Sequence, residues 1–128
     1  MARQALYAEL ARRGEDAARE FLVSRGYEFC AQNLRLGSDE ADLVMRAPDG
    51  ATIVVVEVKT RSCPNARPEE RVDAPKARSL VRLARSLEQR SNRRCSLRID
   101  VIAINLPPGA EPSIHWFQNA IGGSGAVG

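Results

Sequence analysis

Glu57 and Lys59 are separated by one residue, Val58, at the end of the apolar run Ile53-Val54-Val55-Val56. In an extended strand alternate side chains share a face, so the carboxylate and the amine emerge together, in line with Ile53 and Val55. Two ionisable groups leaving an otherwise buried strand are costly unless partners or a ligand compensate them. The preceding segment offers a partner. Asp49-Gly50 between the apolar stretches 41–46 and 52–60 is a strong hairpin signal, because a two-residue type I′ turn needs left-handed backbone twice. With those two residues as the turn, the register sets Asp42 opposite Glu57 and Glu40 opposite Lys59. Opposed side chains have Cβ atoms about 4.5–5.5 Å apart. Two carboxylates at that spacing reach one cation at Mg–O distances of about 2.0–2.1 Å. A three-residue loop would break the parity and send Asp42 to the other face.

Opposed like charges destabilise a sheet by roughly 0.2–1 kcal/mol, and a divalent cation between them removes the conflict. Oxygen-only ligands predict Mg²⁺ or Mn²⁺ rather than zinc, with Asp42 and Glu57 as the metal ligands. The chemistry this suits is phosphodiester hydrolysis, in which the metal polarises a phosphoryl oxygen and helps deprotonate water. Lys59 then orients the water or stabilises charge on the pentavalent phosphate. The plainer alternative pairs Lys59 with Glu40 and leaves Asp42 and Glu57 at a solvated sheet end.

The elements that must position these residues follow from periodicity. Residues 3–25 read as a helix, with Leu10, Ala11, Ala17, Ala18, Phe21 and Leu22 on one arc and Gly26 as its stop. Gly14 interrupts the pattern, so the helix begins near it or bends there. Glu15 lies at the edge of the apolar arc, an unusual place for a carboxylate unless it is a first-turn acid favoured by the helix dipole. Three strands follow, at 27–36, 41–46 and 52–60, and the last is apolar on both faces, which predicts a central, doubly covered strand. Residues 61–74 read as a mobile polar loop. A second helix starts near Pro75 with Asp73 as cap, burying Leu80, Leu83, Ala84 and Leu87 and turning Arg78, Arg82 and Arg85 outward. A strand at 96–104 and a short one at 114–117 complete one α/β domain with a mixed sheet over residues 1–121. Residues 122–128 are predicted to form a flexible Gly-rich tail.

Charge is unevenly spread along the 128 residues. Residues 59–98 hold twelve basic and four acidic side chains, net +8, against −5 for the remainder. Such a concentration is the footprint of a phosphate-backbone binder, although a solvated Arg-rich surface has the same composition. Arg61, beside the acids, is a candidate for gripping phosphate, and Lys76, Arg78 and Arg82 extend the basic surface. No apolar run approaches the roughly 20 residues of a membrane helix, and the first twenty residues hold eight charged side chains, which leaves no signal-peptide segment. Three scattered cysteines, Cys30, Cys63 and Cys95, form neither a disulfide framework nor a zinc pair, as expected in a reducing cytoplasm. Asp100 and Arg98 share a strand face and can pair, and His115 reads as a structural or surface residue.

These residues carry a resemblance. Gly14-Glu15, Phe21-Leu22, Gly26-Tyr27, Asn33-Leu34-Arg35, Glu40-Ala41-Asp42-Leu43-Val44, Val56-Glu57-Val58-Lys59-Thr60-Arg61, Val72 with Lys76, Arg98-Ile99-Asp100-Val101-Ile102 and Asn119-Ala120 resemble the YraN-type uncharacterised protein family 0102. Beyond it, the chain resembles the PD-(D/E)xK restriction-endonuclease-like superfamily, archaeal Holliday-junction resolvases above all. Asp39 stands where the family usually has Gly. The resemblance implies a restriction-endonuclease-like core in α-β-β-β-α-β-β order, with metal on Asp42 and Glu57, Lys59 catalytic, and Glu15 approaching from the first helix. It implies a magnesium-dependent endonuclease acting on DNA, branched or junction DNA included, and a homodimer. The competing expectations are a catalytically silent nucleic-acid-binding module on the same scaffold and a protein-interaction adaptor with affinity for neither metal nor DNA.

Overall fold

The computed structural model describes residues 2–91 and 94–121; the tail expected at 122–128 lies outside the described residues. Seven elements follow in the order α1 (Ala2–Ser24), β1 (Glu28–Leu36), β2 (Asp39–Arg46), β3 (Thr52–Arg61), α2 (Ala74–Arg90), β4 (Ser96–Asn105) and β5 (Ser113–Phe117). The strands form one sheet in sequence order, antiparallel at every pair except β3–β4, which is parallel and joined through α2. This is the predicted α/β arrangement, with β3 in the middle and Val54, Val55 and Val56 fully buried.

Each face of the sheet carries one helix. Ala18 and Leu22 of α1 pack on Leu43, Met45, Val54, Val56, Ile102 and Ile104. Leu80, Leu83 and Ala84 of α2 pack on Val44, Ile53, Val55 and Ile99. Asp73 caps α2 as predicted, its carboxylate accepting the Lys76 backbone N–H at 2.8 Å. The α1 helix ends as expected at Gly26 (φ 89°), where the Tyr27 and Gly26 N–H groups return to the carbonyls of Leu22 and Val23.

Gly14 neither starts nor breaks α1, which runs unbroken through it. It is the point of closest approach to β3. A Cβ at Gly14 would lie 1.9 Å from Thr60 Oγ1 and 2.9 Å from Thr60 Cβ. The missing side chain lets α1 lie down on the sheet and brings Glu15 to the strand ends.

The β2–β3 hairpin keeps its predicted register through a different turn. Leu43↔Val56, Val44↔Val55, Met45↔Val54 and Arg46↔Ile53 pair as expected. Ala47 also donates to the Thr52 carbonyl, so the loop is the four residues 48–51 and not the two-residue Asp49-Gly50 turn. Pro48 occupies its second turn position, the Gly50 N–H closes back on the Ala47 carbonyl, and the Asp49 carboxylate accepts the N–H groups of Ala51 and Thr52. Two residues and four have the same parity, so the side chains from Leu43 to Val56 keep their predicted faces.

Candidate active site

The strands are irregular where the acids lie. The β2–β3 pairing stops at Leu43↔Val56, one step short of Asp42 and Glu57. In a regular antiparallel ladder Val58 N–H would serve the Ala41 carbonyl; instead it donates to Asp42 Oδ2 at 2.8 Å. On the other side of β2 the ladder with β1 skips the pair Asn33/Asp42, and Asn33 takes a left-handed φ of 54°. Asn tolerates that conformation better than most residues. The defect shifts side-chain parity. Leu43 and Met45 face α1, yet Ala41 joins the cluster under α2; Gln32 reaches Asp16 of α1, yet Leu34 packs on the α2 side. Asp42 is thereby released from the sheet's alternation at the splayed end of β2 and β3. The simple expectation of a ladder pair facing Glu57 is corrected, while the meeting of the two carboxyls stands.

Asp42 and Glu57 share a side-chain hydrogen bond. Burial first, and then the neighbouring Asp42 charge, push the Glu57 carboxyl up to about 7. Burial also raises Asp42, opposed by the Val58 N–H and by Glu57. Glu57 Oε1 is buried with no hydrogen-bond partner; Lys76 Nζ approaches to 3.9 Å, a charge contact beyond hydrogen-bonding range. A divalent cation would satisfy the orphaned oxygen, so this pair of carboxyls fits an oxygen-ligated ion. Among the described residues no three acidic, His or Cys side chains converge as a metal cage. Mg²⁺ is commonly held by one or two carboxylates, with waters and substrate phosphate completing its shell.

Glu15 lines the same cleft as Asp42 and Glu57, together with Tyr7, Leu10 and Val58. Burial and the Asp42 charge raise its carboxyl, and the side-chain amides of Asn33 and Gln32 pull it back down. Apart from the polar Gln-Asn pair inside a strand, nothing in the sequence marks these amides as partners of Glu15.

The cations are placed differently from the expectation. Lys59 Nζ donates to the Arg71 carbonyl of the segment between β3 and α2, and it adds only a small lowering of Glu57. Glu40 does not pair with it; Glu40 binds Arg35 at 3.2 Å. The amine nearest the acids is that of Lys76, in the first turn of α2, which also donates to the Glu40 carbonyl at 3.1 Å. Arg82, exposed as expected, is already engaged by a carboxylate. It forms a two-point contact with Asp39, which also accepts from Ser79, so Asp39 ties the β1–β2 hairpin to α2. The turn itself falls to Gly37 (φ 63°) and Ser38, which explains how Asp39 is tolerated in place of Gly. Arg61 and Arg78 are exposed.

Asp100 takes no part in the cleft. It is fully buried, accepts both Nε and a terminal N–H of Arg98 at 2.9 Å, and also accepts Trp116 Nε1 and the Asn119 backbone N–H at 2.9 Å. Its pairing with Arg98 is the expected one. All three cysteines are free, as expected. No helix among the described residues is long and apolar enough to cross a membrane.

Fold and site together define a small α/β protein with an acidic pair at the splayed ends of two central strands. The chain belongs to the uncharacterised protein family UPF0102, whose model matches residues 14–104. It is 39% identical over 115 residues to a UPF0102 protein of Clavibacter michiganensis, covering 88% of this chain and 95% of that one. It is 41% identical to one of Caldicellulosiruptor saccharolyticus, covering 88% and 96%, and 40% identical to one of Symbiobacterium thermophilum, covering 84% and 91%. A solved structure of the Holliday junction resolvase Hjc of Archaeoglobus fulgidus aligns with a TM-score of 0.48 at 19% identity, covering 84% of this chain and 76% of that one.

Proposed function

We propose that this protein is a Mg²⁺- or Mn²⁺-dependent endonuclease that hydrolyses phosphodiester bonds in DNA, with branched DNA as the substrate to try first. The observation that carries the reading is the buried Oε1 of Glu57, which has no hydrogen-bond partner, beside the Asp42 carboxyl on the wall of the same cleft. A fold leaves a buried acceptor unsatisfied at a cost of about 1–3 kcal/mol, so the arrangement implies a ligand. A divalent ion, when bound, supplies Lewis-acid polarisation of the phosphate and lowers the pKa of water. Asp42 and Glu57 hold it. Glu15, the third acid on the cleft wall, takes the proton of the attacking water. Lys76 balances the acids from one side, and Lys59 exchanges the Arg71 carbonyl for a phosphate oxygen when substrate arrives.

The test is cleavage of labelled four-way-junction and linear duplex DNA by purified protein with Mg²⁺, Mn²⁺ or EDTA. Metal-dependent product that disappears in Glu57→Ala is expected; equal cutting by that variant defeats the assignment. The engagement of Lys59 with a backbone carbonyl favours a second reading, a silent nucleic-acid-binding module. Its signature is salt-sensitive DNA binding in EDTA with no product under any condition.

A further inference from the structure

On the α2 side of the sheet, beyond the acid cleft, lies a second charged pocket. Lys59, Ala103 and His115 form one row across β3, β4 and β5, and Arg61, Asn105 and Ser113 form the next. Direct partners in a sheet point to the same face, with strands about 4.8 Å apart. Ala103, small and nearly buried, leaves a depression between the longer side chains. The segment after β3 closes over it and carries Arg67 and Glu69 to its rim. That segment is braced by Asn105, whose Oδ1 accepts the Cys63 N–H at 3.2 Å and whose Nδ2 donates to the Cys63 carbonyl at 2.8 Å. Arg61 and Arg67 line the pocket, yet among the described residues neither has an ion-pair partner; Glu69 is the one acid of the lining and pairs with neither. Elsewhere the basic surface is partly neutralised, as at Arg35, Arg46, Arg82 and Arg98. Two unpaired guanidiniums and an imidazole around a concave surface match a phosphate, which accepts hydrogen bonds on several oxygens at once.

We propose that Arg61, Arg67 and His115 form a phosphate-binding subsite that anchors the DNA strand a few nucleotides from the bond presented to Asp42 and Glu57. The proposal rests on the nucleic-acid reading above but not on catalysis. Arg61 lies four residues beyond Glu57 on the same face of β3, about 13 Å at ~3.3 Å per residue, and Lys59 stands between them. A stacked strand advances about 3.4 Å per nucleotide, so a backbone laid along this row meets the acids, then Lys59, then the pocket. All three side chains are solvent-accessible, so their removal spares the fold.

The experiment is fluorescence anisotropy of a labelled single-stranded DNA oligonucleotide in EDTA across a series of NaCl concentrations. It is run for wild type, Arg61→Ala/Arg67→Ala, His115→Ala, and the charge-matched control Arg85→Ala/Arg90→Ala on the outer face of α2. Thermal melts verify folding. The pocket double variant is expected to bind about tenfold or more weakly, with the salt slope reduced by about 0.7 for one lost phosphate contact on a single strand. His115→Ala should weaken binding less, and the control should keep the wild-type slope. Adding inorganic phosphate, against chloride at equal ionic strength, separates a site for the bare anion (displacement) from one that needs the continuous backbone (none). An unchanged slope in the pocket variant, a loss matched by the control, or no DNA binding by wild type overturns the subsite. Binding with these differences but no cleavage under any metal leaves the subsite standing and removes the nuclease reading; cleavage with an unchanged slope removes the subsite alone.

Discussion

Asp100 and Glu57 are carboxylates on adjacent central strands of one sheet, and their surroundings are opposite. Asp100 meets four N–H donors, two from Arg98, one from Trp116 and one from the Asn119 backbone. The Arg98 guanidinium continues to the Tyr27 hydroxyl at 2.7 Å, and Phe21 and Tyr27 stack edgewise on Trp116. Glu57 meets another acid and, at Oε1, only the charge of Lys76 at 3.9 Å, with no hydrogen bond. Asp100 lies on the α1 face, near Trp116 and Phe21, whereas Glu57 lies between Glu15 of α1 and Lys76 of α2. Complete satisfaction at Asp100 rigidifies the fold and leaves no site for a ligand. Incomplete satisfaction at Glu57 costs stability and is what a cation would relieve. A carboxyl buried in one sheet is fully satisfied in the first case and open to a ligand in the second, and the count of donors separates them.

The contrast is broken first by mutating both centres. Asp100→Ala leaves Arg98 half-buried without its counter-charge, and a loss of about 3–5 kcal/mol is expected, read as a large drop in urea midpoint. Glu57→Gln, by contrast, should hold or raise the midpoint in EDTA while lowering metal-dependent cleavage by about 10²-fold or more. A Glu57→Gln protein as unstable as Asp100→Ala would show that the cleft acids are structural too.

Metal addition comes next. Mn²⁺ at a hundred times its dissociation constant should stabilise the wild type by about 2.7 kcal/mol, seen as a raised melting temperature that Glu57→Gln does not reproduce. An equal rise in both proteins would place the ion elsewhere. Gly14→Ala follows, at about 1–3 kcal/mol from overpacking against Thr60; because Glu15 is displaced with it, activity should fall more than stability alone accounts for.

The pH response sharpens the comparison further. Glu57 binds its proton more tightly folded than unfolded, so metal-free stability contributed by this group is full below about 4.5 and is lost as pH rises through about 7. Melting temperature in EDTA should decline over that window, and Glu57→Gln should flatten the decline; a wild-type curve rising across it contradicts the assignment. The smallest effect is expected at the exposed Arg82, whose replacement by Ala removes a screened contact with Asp39. A shift as large as that of Gly14→Ala would mean that the hairpin clamp matters more than its exposure implies.

Much of this was legible along the chain, because periodicity is local. The apolar run in β3 marks a central strand, the alternation of Leu80, Leu83 and Ala84 marks the buried face of α2, and Asp73 before Pro75 marks its start. The resemblance implies that Glu15 approaches Asp42 and Glu57 from α1, and the three line one cleft. What the chain did not disclose were events that depend on two segments at once. Gly14 reads as a helix breaker until Thr60 is seen where its side chain would be. Lys76 reads as one basic residue among twelve until α2 sets it beside Glu57. Asn33 and Asp42 interrupt both ladders together, a defect that no single-strand pattern predicts.

The amino-acid order by itself determined the element types and, from Leu43 to Val56, the faces and the register, since two-residue and four-residue turns preserve the same parity. The tertiary structure alone decided which charges are compensated, since hydrogen-bond partners come from strands and helices far apart in the chain. That is why Asp100 and Glu57, both preceded by Val or Ile and followed by Val, came out so differently.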